Sequence, residues 1–182
     1  MKITASLLGF VLSTVIASSV HWTANNRVLF IAEKYVGITE QKPNRGPQID
    51  KWNTHAGVPL GSSYCAAFIS FVLDSANVEY PTVRSALAQK YITDKSIKAT
   101  DVLAGYEKIP AGYLVIWKKG GTWMGHIGIT ASKWENNIGL TIEANTSPTN
   151  KGDQRNGDGV WKKQRRIDPT AYFRITHFTP VY

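Results

Sequence analysis

The spacing of apolar residues changes part-way along this chain, and that change limits the fold more than any other feature. Up to about residue 91 the apolar positions recur at helical intervals. Val28, Ile31, Ala32, Tyr35 and Val36 share one helical face, with Gly37 as the stop. Pro47 opens a second helix through Ile49, Trp52 and Asn53 that ends at Gly57. After a loop over residues 58–64, the most strongly patterned helix runs from Cys65 to Ala76, with Ser62 or Ser63 as its N-cap. A shorter helix is expected from Thr82 to Tyr91. From Tyr113 onward the segments read as strands: residues 113–117, 126–131, 140–145 and 172–181, with a long loop over 147–159. Helices first and strands after predict an α+β domain with a mostly antiparallel sheet, and argue against a doubly wound parallel fold.

With 182 residues, no internal repeat and no Pro-rich linker, one domain is expected over residues 22–182. Hydrophobic residues make up 43% and charged residues 19%, which excludes a disordered, collagen-like or coiled-coil chain. The 21 Lys and Arg against 13 Asp and Glu leave a formal charge of +8, so an anionic neighbour is expected.

Residues 1–20 narrow the choice of neighbour. Lys2 precedes an uncharged run from Ile3 to Val20, in which Ala17, Ser18 and Ser19 are small. This is the pattern of a secretory signal peptide cleaved near Ala17 or Ser19, with an uncleaved membrane anchor as the alternative. The protein is therefore expected to be secreted or periplasmic. Export argues against nucleic acid as the partner.

Cys65 is the single cysteine, which excludes a disulfide framework and any multi-cysteine zinc or iron–sulfur site. In an oxidising compartment a lone cysteine is either a small buried hydrophobe or a thiol kept for its reactivity. Its place at the start of a helix suits the second, because free N–H groups and the helix dipole stabilise a thiolate there, but Ala66, Ala67 and Phe68 after it suit the first equally, and the strand pair decides between them. A turn centred between Trp134 and Glu135 sets His126 directly across from Glu143, within reach of a hydrogen bond. Asn145, two residues on, shares the face of Glu143, while Ile127, Ile129 and Ile142 take the other. Gly125 and Gly128 beside His126 are expected to leave room for a substrate backbone. A nucleophilic cysteine, a histidine that takes its proton and a carboxylate that orients the histidine are the components of cysteine-dependent amide hydrolysis.

The stretches that carry a family resemblance are Ala32-Glu-Lys-Tyr-Val-Gly-Ile-Thr-Glu40, Asn44-Arg-Gly-Pro-Gln-Ile-Asp50, Tyr64-Cys-Ala-Ala-Phe-Ile-Ser-Phe-Val72, Gly125-His-Ile-Gly128 and Glu143-Ala-Asn145. They resemble the CHAP family of cysteine- and histidine-dependent amidohydrolases and peptidases, within the papain-like, NlpC-related superfamily. The resemblance implies a papain-like fold with the catalytic cysteine at a helix N-terminus packed on the sheet. It implies Cys65 as nucleophile, His126 as base, Glu143 as the residue that orients it, and Asn145 as an aid to orientation or to the oxyanion site. It also implies peptidoglycan as substrate, cut as an N-acetylmuramoyl-L-alanine amidase or as a peptide endopeptidase. Some relatives carry a loop of clustered aspartates that binds calcium. Here the comparable stretch has Asp50 alone, so neither metal nor cofactor is expected.

Tyr64 and Trp123 are candidates to contact substrate, and His55 and His177 read as structural. The basic run from Lys151 to Arg166 reads as a solvated face, or as a patch for docking on anionic wall polymer or lipid. The chain is expected to act as a monomer. Two alternatives use the same fold: a non-catalytic basic wall-binding module, and a toxin-like effector delivered to a rival's wall.

Overall fold

The computed structural model describes residues 22–149 and 157–182. The expected export segment over residues 1–20 lies outside the described residues, as do Lys151 and Arg155 of the basic run.

Thr23 starts α1 (Ala24–Glu33) by accepting a hydrogen bond from the Asn26 N–H at 3.3 Å. That cap places the start of the helix four residues before the first residue of its apolar face. Gly37, at φ 91°, turns the chain away, a conformation glycine adopts without steric cost. α2 (Pro47–His55) has Pro47 in its first turn and Gly57 at φ 70° just past its end, as its sequence predicts. α3 (Cys65–Ser75) has no side-chain cap: its N-cap is Tyr64, and neither Ser62 nor Ser63 takes that role. The Arg27 side chain instead bonds the carbonyls at the far end of α3, Ala76 at 2.8 Å and Asn77 at 3.3 Å. Those carbonyls have no partner within the helix, so a cation from α1 both satisfies them and joins the two helices.

The helix expected over residues 82–91 does not form. Only a 3₁₀ turn, Ala88–Tyr91, is present. Ser85 Oγ accepts from the Leu87 N–H at 3.1 Å, and the Tyr91 hydroxyl donates to the Ser85 carbonyl at 2.9 Å. These side-chain bonds to backbone compete with the helical ladder and win over so short a segment.

The strands are β1 (Ile97–Lys98), β2 (Leu114–Lys119), β3 (Gly125–Thr130), β4 (Ile138–Thr146), β5 (Gly159–Arg166) and β6 (Phe173–Thr179). They form one antiparallel sheet in the order β1-β6-β2-β3-β4-β5. A short helix, α4 (Ala99–Leu103), follows β1. The α+β class and the antiparallel sheet agree with the sequence reading. β5 does not: its sequence pattern predicts loop and solvated charge.

α1, α2 and α3 cover one face of the sheet. Their core joins Trp52, Phe68, Ile69 and Val72 to Leu114, Ile116, Ile127, Ile129 and Ile142. Tyr35 meets Trp52 and Phe68 edge to face, at centroid distances of 5.5 and 6.0 Å. A second core, on Val115, Trp117, Ile175 and Phe178 with Ala99 and Val102 of α4, fills the other face. α3 is thus buried nearly all round, and its apolar composition is what a helix between other helices and a sheet requires.

Candidate active site

α3 packs against β3 and β4, and its first residue, Cys65, lies close enough to His126 on β3 to raise the pKa of the imidazole. The imidazole is 1% exposed, and its Nε2 lies 2.9 Å from Glu143 Oε2 on β4. Glu143 is fully buried, and four hydrogen bonds hold it. Besides His126, Arg165 Nη2 donates to Oε2 at 2.6 Å, Arg165 Nε donates to Oε1 at 2.7 Å, and Thr141 Oγ1 donates to Oε1 at 2.5 Å.

The expected pairing of His126 with Glu143 holds between the side chains but not between the backbones. Glu143 lies across from Gly128, and His126 lies across from Trp117 on β2. The turn is not at Trp134 and Glu135. It is Asn136-Asn137, both with positive φ (49° and 63°), between the bridged residues Glu135 and Ile138. Two consecutive residues with positive φ make the hairpin turn whose twist suits the strands, and asparagine tolerates that conformation. Trp134 is packed against Phe178, with ring centroids 5.0 Å apart. The register error was two residues. A shift of two keeps every side chain on its own face, so His126 and Glu143 stay on one side and Ile127, Ile129 and Ile142 on the other.

Gly128 is what lets the diagonal pair meet. A Cβ there would lie 2.7 Å from Glu143 Cγ, and one on Gly125 would lie 2.7 Å from the Trp117 carbonyl. The two glycines therefore make room for the protein's own groups and not for a substrate backbone. Gln89 fixes the approach to His126 by donating to the carbonyls of Thr122 at 2.8 Å and Met124 at 3.2 Å.

Two pKa values follow from this arrangement. Burial alone would strip the proton from His126. The neighbouring Cys65 thiol and the Glu143 carboxylate together outweigh burial and hold the imidazole pKa above its ordinary 6.5. Burial would also protonate Glu143, but the bonds from Arg165 first, and then from His126, hold it ionised well below its ordinary 4.5. With Nε2 donating to the carboxylate, Nδ1 is left to face the thiol. Nδ1 is buried and has no hydrogen-bond partner among the described residues.

Asn145 is fully buried at a bulge between Ala144 and Thr146, with φ 59°. The bulge breaks the strand alternation on which its shared face with Glu143 was reasoned. Its backbone carbonyl accepts from the Gly157 N–H at 3.1 Å. Tyr64, expected to touch substrate, is fully buried and stacks on Trp52 at a centroid distance of 6.0 Å. It packs the core beneath the start of α3. Trp123 is 77% exposed, ahead of the start of β3. His55 packs edge-on against Phe71, and Asp50 forms a two-pronged pair with Arg45 at 2.8 and 3.0 Å.

Arg165 and Lys163 are the site residues that sequence reasoning missed. They belong to the basic run that was read as a solvated face. Instead they are on β5, where Lys163 is 3% exposed and donates to the carbonyls of Ser147 at 2.6 Å and Thr149 at 2.5 Å. The signal was the alternation within Val160-Trp-Lys-Lys-Gln-Arg-Arg-Ile167: Lys163 and Arg165 turn inward while Lys162, Gln164 and Arg166 are exposed.

In comparisons with known proteins, no family model, no curated protein and no solved structure matches the chain.

Proposed function

We propose that this chain is a papain-like, CHAP-type cysteine amidohydrolase or peptidase that cleaves an amide bond of bacterial peptidoglycan after export. The observation that carries the reading is the buried His126 whose Nε2 lies 2.9 Å from the Glu143 carboxylate, with the cysteine that starts α3 raising the pKa of the same imidazole. No structural requirement alone accounts for burying two or three ionisable groups in series, since taking a charge out of water is costly.

In this mechanism the proton of Cys65 rests on His126 Nδ1 before attack, because the site favours the imidazolium, and the Sγ thiolate attacks the carbonyl carbon. The oxyanion develops beside the free N–H groups at the start of α3, where the helix dipole favours negative charge. His126 then protonates the leaving amine, and a water molecule, activated by the now neutral imidazole, hydrolyses the thioester and restores the thiolate and imidazolium. Glu143 keeps the Nε2 proton in place throughout, so that Nδ1 is always the nitrogen offered to sulfur. A formal charge of +8 suits an anionic wall as the neighbour, and the exposed Trp123 is placed to line the approach to β3.

The experiment is mass spectrometry of fragments released from purified peptidoglycan by the protein and by Cys65→Ala. Release of new amine-bearing fragments by the native protein alone is the expected result, and the fragment masses identify the bond. Binding to the wall with no release by either protein would support a non-catalytic wall-binding module instead.

A further inference from the structure

We propose that Arg165 is a positioning residue of this site: by forking onto Glu143 it keeps the carboxylate ionised and limits how tightly His126 holds its proton. The geometry carries this. Arg165 Nη2 and His126 Nε2 converge on the same oxygen, Glu143 Oε2, at 2.6 and 2.9 Å, while Arg165 Nε holds Oε1 at 2.7 Å. The Arg165 side chain is 15% exposed and the carboxylate is fully buried. A buried carboxylate needs a permanent counter-charge whenever the imidazole beside it is neutral. Arginine supplies one that does not titrate in this range, with a rigid fork that fits both oxygens.

His126 passes between neutral and charged forms during the reaction proposed above. Without Arg165, its neutral form would leave an uncompensated buried carboxylate, so the imidazolium would be favoured. With Arg165, the negative charge is shared and Oε2 is a weaker partner for the imidazolium. A base that keeps its proton too strongly is a poor acid toward the leaving amine. Among the described residues, the other charged or titratable groups around this pair are Cys65 on α3, with Tyr91 beside it on the 3₁₀ turn, and Lys163 on β5, whose charge acts on both Arg165 and Glu143. On β2 its neighbour is Trp117, which carries no charge and lies under the Arg165 guanidinium at 5.8 Å.

The test follows the His126 resonances by NMR in ¹⁵N-histidine-labelled protein across pH; the chain has only four histidines. Removing a cation this close should raise the His126 midpoint by about one unit or more in Arg165→Gln, and Arg165→Lys should reverse part of that rise. An unchanged or lowered midpoint in a folded Arg165→Gln protein overturns the proposal. Where Arg165→Gln does not fold, Arg165→Gln with Glu143→Gln decides: removing both charges should restore folding if Arg165 serves Glu143, and continued failure to fold assigns it a packing role and refutes the idea. The titration needs no substrate, so it stands or falls apart from the peptidoglycan reading. Where turnover is measurable, kcat should fall at least about ten-fold in Arg165→Gln with KM little changed, and the alkaline limb should move upward.

Discussion

Gly128→Ala puts the smallest possible obstruction between His126 and its carboxylate. The φ of Gly128 lies outside the left-handed region, so alanine meets no backbone strain there and the effect comes from the added methyl alone. That methyl would lie 2.7 Å from Glu143 Cγ and 2.9 Å from the Ile142 carbonyl oxygen, where ordinary contacts begin near 3.4 Å. Something must therefore give by most of an ångström. Ile142 belongs to the central ladder, so the side chain of Glu143 is the part that can move. It is tied by His126, Thr141 and both arms of Arg165. Overpacking of this kind costs ~1–3 kcal/mol. For a chain of this length that is a fall in Tm of roughly 2–12 °C. A carboxylate displaced by about 1 Å from the histidine it orients should cost on the order of 100-fold in rate. Thermal melts and fragment-release rates on the same preparation read both quantities. If glycine were there to admit a substrate backbone, the variant would melt like the native protein and lose substrate affinity instead. A native Tm with an unchanged rate would refute the geometry argued here.

Three further outcomes are expected. His126→Ala should lower turnover by several orders of magnitude, on the order of the losses seen for triad deletions, whereas Cys65→Ala combined with Glu143→Gln should turn over no more slowly than Cys65→Ala alone; a folded His126→Ala protein with near-native turnover would end the mechanism. The pH profile of stability should be a plateau. The Glu143 contribution is complete above its ordinary 4.5 and lost as pH falls toward about 2, and the His126 contribution is complete below its ordinary 6.5 and lost as pH rises through about 9, so melts of Glu143→Gln should show both limbs flattened. Lys163→Met should remove the bonds from Nζ to the carbonyls of Ser147 and Thr149, and limited proteolysis should then cut near residues 147–149 sooner than in the native protein, with equal rates counting against this anchoring role.

The α+β class and the chain positions of Cys65, His126 and Glu143 were legible in the sequence because they rest on local rules. A helix with Pro at its start and Gly past its end, or a run of apolar residues bounded by turns, needs no distant partner to be recognised. The facing of His126 and Glu143 was also legible despite the misplaced turn, since the two-residue period of a strand tolerates an error of two. Tertiary structure decided what local rules do not reach. The fate of residues 82–91 turned on bonds from Ser85 and Tyr91, which outcompeted a short helix. The roles of Gly125 and Gly128 emerged only once Trp117 and Glu143 were brought against them. Lys163 and Arg165 looked like solvated charge, because basic residues are rarely buried and nothing nearby in sequence could pair them. Their partners, Glu143 for Arg165 and the carbonyls of Ser147 and Thr149 for Lys163, are 14 to 22 residues away, and only the pairing of β4 with β5 turns a basic run into the inner wall of a site.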